Sequence, residues 1–278
     1  FVRRPIVGYL RSMSRRRLLN ALTFRHSSLP TVSGFNWVTS SQTLKRAPAC
    51  KPFSSSACAE ARPQFDWSKI NQEKAQGWPE WLKAELRSDH AGETGAVWIY
   101  RGAKAAMEFR GSCSRMLHRL TGLDVGCPYR FREEPAYDFV EEHCKTEAAH
   151  LELMEKLVPP NERSRLIPLW KLSGFILGAL PTLAWRTPTW LYVTVEAVET
   201  FVDVHYKNHI VPLEELGTAP ELLRLLRHCC EEEIHHRDDA SRRSGLPIGY
   251  EQKPFIVRVW FTIVARGSEI AVAFAKRV

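Results

Sequence analysis

The sequence predicts an all-α protein, a bundle of four or five long helices. Three observations carry that expectation. Apolar residues recur at three- and four-residue steps over long stretches, no run alternates apolar and polar residues between turn signals, and the stretches are parted by short connections marked with proline.

The first long helix is expected over Trp78–Glu108, with Pro79 near its start, where a helix tolerates proline. Residues 110–134 contain three glycines, a proline and six Arg/His side chains, and read as a long loop or insert. A second helix spans Pro135–Val158 and is stopped by Pro159-Pro160. A third runs from Pro188 to Ile210, ending before Pro212. A fourth begins after Pro220 and continues to about Ser241, and after a loop at Gly245–Gly249 a last helix covers Pro254–Lys276. Between the second and third lies Leu166–Trp185, twenty residues with Lys171 as the only charge. Its length would allow a membrane span. Pro168, Gly174, Gly178 and Pro181 weaken a continuous helix, and Trp170, Trp185 and Trp190 punctuate the region as aromatic residues do at a membrane–water boundary. A segment lying in one leaflet is the preferred reading, with a buried core helix and a full span as alternatives.

The chain has 278 residues, 39 Lys+Arg against 31 Asp+Glu, and a formal charge of +8. A basic balance invites a nucleic-acid reading, but the charge is localised. Ten bases and no acid fall in residues 1–59, the first acid being Glu60; residues 60–278 carry 29 bases and 31 acids. On a helical wheel Arg4, Arg11 and Arg15 share a sector opposite Ile6, Leu10 and Met13. Arg-rich, Ser-rich, acid-free and amphipathic is the pattern of a mitochondrial transit peptide, so residues 1–62 are expected to be an address and residues 63–278 the functional domain. The alternative is a basic arm that binds nucleic acid or acidic lipid. Seven cysteines, at 50, 58, 113, 127, 144, 229 and 230, include no C-x-x-C and fit a reduced compartment better than a disulfide scaffold or zinc finger.

The chemistry lies in carboxylates on apolar stripes. In the second helix Val140, His143, Glu147, His150, Met154 and Leu157 form one stripe; in the fourth, Leu222, Leu226, Cys229, Glu233, His236 and Ala240 form another. Each carries a Glu-x-x-His pair into the core. Glu93 sits with Leu82, Leu86, Val97 and Tyr100, and Glu199 with Val195, Val202 and Tyr206. Buried carboxylates demand partners. One Glu from each of two helices plus Glu-x-x-His from each of the other two is the di-metal carboxylate pattern of four-helix bundles. Four carboxylates and two divalent ions would cancel, and mixed carboxylate–imidazole ligation suits iron and oxygen chemistry. Several neighbours have blander roles. His90 reads as capping or orienting, Glu196 as orienting or ion-paired, and Glu231, Glu232 and His235 as outer residues. The register Glu232/His235 also spells Glu-x-x-His but leaves the stripe, so Glu233/His236 is preferred.

Arg87-Ser88-Asp89-His90-Ala91-Gly92-Glu93-Thr94-Gly95-Ala96 with Ile99-Tyr100, then Glu147-Ala148-Ala149-His150, Pro168-Leu169-Trp170 with Gly174-Phe175 through Gly178-Ala179, Val198-Glu199 with His205-Tyr206-Lys207-Asn208, and Glu232-Glu233-Ile234-His235-His236 with Asp238 occur in that order. Over residues 79–278 the chain thereby resembles the mitochondrial demethoxyubiquinone hydroxylases of ubiquinone biosynthesis. The resemblance implies a ferritin-like four-helix bundle with an apolar membrane-interfacial segment and a C-terminal helix. It implies two iron ions held by Glu93, Glu147, His150, Glu199, Glu233 and His236, with His205 and Tyr206 near the iron and the quinone as catalytic candidates. The expected reaction is an O2-dependent monooxygenation of the benzoquinone ring of a polyprenyl substrate. The expected location is the matrix side of the inner mitochondrial membrane, held peripherally through Leu166–Trp185, with a lipid-binding protein of the biosynthetic complex as a further partner and no nucleic acid. The 110–134 insert and Ser88, where an aliphatic residue is usual, depart from the family. Two other readings are a di-iron quinol oxidase and a non-catalytic relative built into a mitochondrial membrane assembly.

Overall fold

The computed structural model describes residues 63–122, 135–185 and 187–278. The transit-peptide expectation for 1–62 and the second half of the expected insert, 123–134, lie outside the described residues. Those described form seven α-helices and two short 3-10 turns, with no strand among them. The helices are α1 Trp67–Ala75, α2 Glu80–Thr121, α3 Pro135–Leu157, α4 Ile167–Ala184, α5 Thr189–Leu216, α6 Pro220–Arg243 and α7 Phe255–Ala275. The bundle proper is α2, α3, α5 and α6, with α4 laid on α2 and α7 laid on α5.

Four boundaries differ from expectation. Residues 110–121, expected in a loop, continue α2 to a left-handed Gly122 (φ 69°) whose N–H bonds to the His118 carbonyl. A single interior glycine such as Gly111 costs only about 1 kcal/mol relative to alanine, and the Arg110 guanidinium offsets it by donating to the Thr182 carbonyl at the end of α4. Helix α5 runs past Pro212 to Leu216, because a proline near the last turn removes one hydrogen bond while Ile210 and Leu213 are buried on either side of it. Helix α1 had no long periodic run to announce it; Asp66 caps it, accepting from the Ser68 and Lys69 amides. Finally, α4 is one continuous helix despite its glycines and Pro181. Gly174 and Gly178 are there for contact: a Cβ at Gly178 would overlap the Ile99 carbonyl, and one at Gly174 the Gly95 carbonyl.

The apolar core has two ends. Leu82, Leu86, Met154, Leu157, Tyr206, Leu222, Leu226 and Cys229 pack at one. Tyr100, Met107, Phe139, Val140, Leu191, Tyr192, Val195 and Ala240 pack at the other. On α2 the order is Leu86, Glu93, Tyr100; on α3 it is Val140, Glu147, Met154; on α6 it is Leu226, Glu233, Ala240. Each glutamate is seven residues, two turns, from an anchor in each apolar end. The carboxylates therefore occupy a polar layer between two dry ones.

Helices α4 and α7 leave apolar side chains in solvent. Leu169, Leu172, Ile176, Leu180 and Leu183 form a stripe along α4, and Phe255, Ile256, Val259, Ile263, Ile270 and Phe274 are exposed on α7. Helix α4 has the length and hydropathy to cross a membrane, yet only 22% of it is buried against the rest of the protein. A core helix would be covered, so the buried-core alternative for this segment is not what the fold shows.

Candidate metal centre

The polar layer brings together the residues singled out above. Ligand atoms of Glu93, Glu147, His150 and Glu233 all lie within 4.8 Å of one another, and all four residues are buried. His150 Nδ1 is 2.7 Å from Glu233 Oε1 and 3.7 Å from Glu93 Oε2. His236 Nδ1 meets Glu147 Oε1 at 3.0 Å and Glu233 Oε2 at 3.2 Å, so Glu233 lies between the two imidazoles. Glu199, also buried, adjoins Glu233 from α5. Of the two registers, Glu233 and His236 are buried, whereas His235 is exposed and Glu232 half-buried.

Electrostatics report the strain of this arrangement. Burial, with the negative charge of Glu233, pushes the carboxyls of Glu93, Glu147 and Glu199 above the ordinary range. Burial opposes ionisation of Glu233 as well, but His150 and His236 outweigh it and hold this carboxyl low. Burial likewise disfavours the imidazolium forms, yet Cys229, Glu233 and Glu232 raise His150 well above its usual value. Glu147 and Glu233 raise His236 to about 10. Protons thus stand in for missing positive charge.

The clustered side chains could hold a metal ion. Four buried carboxylates face only two imidazoles, and Glu147 Oε2 has no hydrogen-bond partner. Both histidines turn Nδ1 toward the carboxylates. The other nitrogen of His150 is held at 2.6 Å by Glu232, the kind of outer carboxylate that fixes a ligating imidazole. The donors are oxygen and nitrogen, as suits iron or manganese.

Neighbouring side chains complete the site. Tyr206 donates to Glu93 Oε1 at 2.7 Å. His205 is one side chain further out, with Nε2 2.8 Å from Asp89 Oδ1 and 3.2 Å from Ser88 Oγ. It makes no contact with the four-residue cluster. Glu196 is ion-paired, as expected, to the buried ammonium of Lys253 at 2.9 Å, and accepts from Ser241. His90 departs from expectation. It is buried with neither ring nitrogen hydrogen-bonded, so it orients no ligand. His143, on the α3 stripe but given no role from sequence, packs edge-on against His236 at 4.3 Å and reaches Asp239 at 3.2 Å.

A cavity of about 620 Å³ opens from this layer between α4 and α7. Glu93, Glu147, Glu199, Glu233 and Tyr206 form its inner end; Leu169, Trp170, Leu177, Trp260, Ile263 and Phe274 form its walls. The share of α7 in those walls had no signal beyond an apolar helix at the chain's end.

Fold and site together define a helical-bundle protein with a buried carboxylate–histidine metal site that opens into an apolar cavity. A family model described as "Ubiquinone biosynthesis protein COQ7" matches residues 80–121 and 128–275, and the chain belongs to that family. It is similar to the NADPH-dependent 3-demethoxyubiquinone 3-hydroxylase, mitochondrial, of Homo sapiens, with 30% identity over 195 residues, 69% of this chain and 76% of that protein. The Caenorhabditis elegans protein of the same name is 25% identical over 197 residues, 69% of this chain and 88% of its own. The 3-demethoxyubiquinol 3-hydroxylase of Rhodospirillum rubrum is 30% identical over 198 residues, 69% of this chain and 76% of its own.

Proposed function

We propose that this chain is an O2-dependent monooxygenase that hydroxylates the ring of a demethoxyubiquinone-type polyprenyl quinone. The observation that carries this is the continuity of one cavity from buried carboxylates to exposed apolar helices. A substrate with a polar ring and a long apolar tail matches that gradient. Glu93, Glu147, His150, Glu199, Glu233 and His236 would hold two iron ions, which when bound supply O2 reduction.

The chain's own residues do the rest. Glu147 and Glu233, each in reach of His236, would help to hold the ions, and Glu232 keeps the His150 ring in place. The Tyr206 hydroxyl holds the orientation of Glu93 and marks the inner limit of the cavity, where a quinone ring would rest. His205, whose Nε2 faces Asp89, lines the same wall and would position the ring. The apolar walls exclude water from that end. Overall, O2, two electrons and two protons convert a ring C–H to C–OH plus water. The names of the human and Caenorhabditis elegans relatives point to a nicotinamide reductant.

The exposed stripes of α4 and α7 support a peripheral seat on the inner mitochondrial membrane, matrix side, with Leu166–Trp185 toward the lipid. A lipid-binding protein could cover the same surface while delivering substrate. Residues 1–62 are read as the import address, and 63–278 as the catalytic domain. The test is product analysis. The iron-loaded full chain, given a demethoxyquinone, reductant and isotopically labelled O2, should place one labelled oxygen on the ring. Oxygen consumption without a hydroxylated product would favour a quinol oxidase instead.

A further inference from the structure

We propose that Glu85, His205 and His209 form a second metal site, distinct from the carboxylate layer, that takes one divalent first-row transition-metal ion, zinc being the closest match. Glu85 and Asp89 are four residues apart on α2, and His205 and His209 are four apart on α5. Each pair stacks on one helix face, and the two faces meet. The ligand atoms of Glu85, His205 and His209 lie within 4.8 Å of one another. His205 Nδ1 is 3.8 Å and His209 Nδ1 3.9 Å from the same oxygen, Glu85 Oε2. Ligands about 2.0–2.1 Å from a tetrahedral zinc are roughly 3.3–3.5 Å apart, so the two edges to Glu85 need to shorten by a few tenths of an ångström.

Asp89 supplies what such a site requires behind its ligands. Its Oδ1 is 2.8 Å from His205 Nε2 and its Oδ2 is 3.3 Å from His209 Nε2. The Oδ1 hydrogen bond holds the His205 ring with its Nδ1 toward Glu85, and Oδ2 lies beside His209 Nε2 without a hydrogen bond. His209 has no exposed surface, and neither of its nitrogens makes a hydrogen bond. Such a group normally has a partner.

One cation already answers to Glu85. The Lys276 ammonium is 2.7 Å from Glu85 Oε2, on a side chain 27% exposed at the end of the chain. It can swing to solvent, and it competes with an incoming ion. Tyr206 stands between the two sites: its ring centroid is 5.3 Å from that of His209 and its hydroxyl is on Glu93.

The probe is Co²⁺ titrated into the metal-free full chain and followed by its visible absorption. To isolate the second site, the titration is repeated in Glu147→Gln/His150→Gln/Glu233→Gln, which strips three of the four clustered ligands from the main centre. One equivalent should remain there, and it should vanish when His209→Gln or Glu85→Gln is added. Lys276→Met, at a partly exposed position, should tighten this equivalent by about tenfold or more through removal of a competing charge. Absence of Co²⁺ binding in the triple variant, an equivalent that survives His209→Gln, or an affinity indifferent to Lys276→Met would each overturn the assignment. Because the readout is metal bound in the triple variant, failure of the hydroxylase reading would not alter it.

Discussion

Replacing Glu199 by glutamine should make the metal-free protein more stable and the metal-bound protein less so. Glu199 is 3% exposed and shares its layer with three other buried carboxylates and only two imidazoles. With all of these ionised, the layer would carry −4 against +2. Two like charges about 4 Å apart repel by about 4 kcal/mol at an effective dielectric of 20. Proton uptake relieves most of this, which is why burial and the charges of Glu233 and Glu147 raise the Glu199 carboxyl. A carboxyl with a raised folded-state value binds its proton more tightly when folded. Its penalty is therefore absent below about pH 4.5 and grows as pH rises toward the folded value. Glutamine keeps the shape and can still donate to Glu233 but never ionises. The expected gain near pH 7 is about 1–3 kcal/mol, or roughly 2–10 °C in melting temperature for a domain of this size. The same change removes an anionic ligand and should weaken Fe²⁺ binding by at least about a hundredfold. Thermal unfolding of both proteins, with and without anaerobic Fe²⁺, from pH 5 to 8, measures both effects. A lower melting temperature for metal-free Glu199→Gln, together with an unchanged metal-induced increment, would show that Glu199 neither strains the empty layer nor binds metal.

Other outcomes follow from the same geometry. Tyr206→Phe removes the donor to buried Glu93, a loss of about 1–3 kcal/mol or roughly tenfold to hundredfold in kcat, with iron content retained; an unchanged kcat would deny Tyr206 its role. Fe²⁺ binding should release protons, because His236, raised to about 10, must lose its proton to ligate. Affinity should then climb from pH 6 to 8 in calorimetry across buffers of different ionisation enthalpy, and a fall with pH would contradict the charge balance. Gly178→Val drives a side chain into the Ile99 carbonyl and should cost about 3 kcal/mol by parting α4 from α2; a native melting temperature would exclude that contact. Changing Leu169, Leu172, Ile176 and Leu180 to serine should abolish flotation with cardiolipin-containing vesicles while leaving the fold intact; full retention of binding would remove α4 from the membrane surface.

The carboxylate layer was legible because burial of charge is rare and periodicity exposes it. Glu147 and Glu233 stand two turns from apolar anchors on either side, so a helical stripe that breaks for a glutamate identifies the interior position. The same logic separated Glu233 from Glu232. Cross-helix pairs gave no comparable signal. Glu85 and His209 are 124 positions apart, each unremarkable on its own helix, and only the packing of α2 on α5 unites them. Nor did local rules find the end of α2 or of α5. Gly111 and Pro212 read as breaks, but each interrupts a helix whose neighbours are fastened elsewhere, through Arg110 on α4 and through buried Ile210 and Leu213. In α4 the glycines that seemed to weaken the helix are those that let it lie on α2. The apolar composition of Leu166–Trp185 was visible, whereas the contribution of α7 to the cavity wall depended on where the last helix docked.

Anomalous diffraction at the iron edge, from crystals of the anaerobically iron-loaded full chain, locates the bound metal directly. Two peaks are expected in the polar layer, each about 2.0–2.3 Å from donors among Glu93, Glu147, His150, Glu199, Glu233 and His236. No iron there, or iron bound only away from these six side chains, would contradict that expectation.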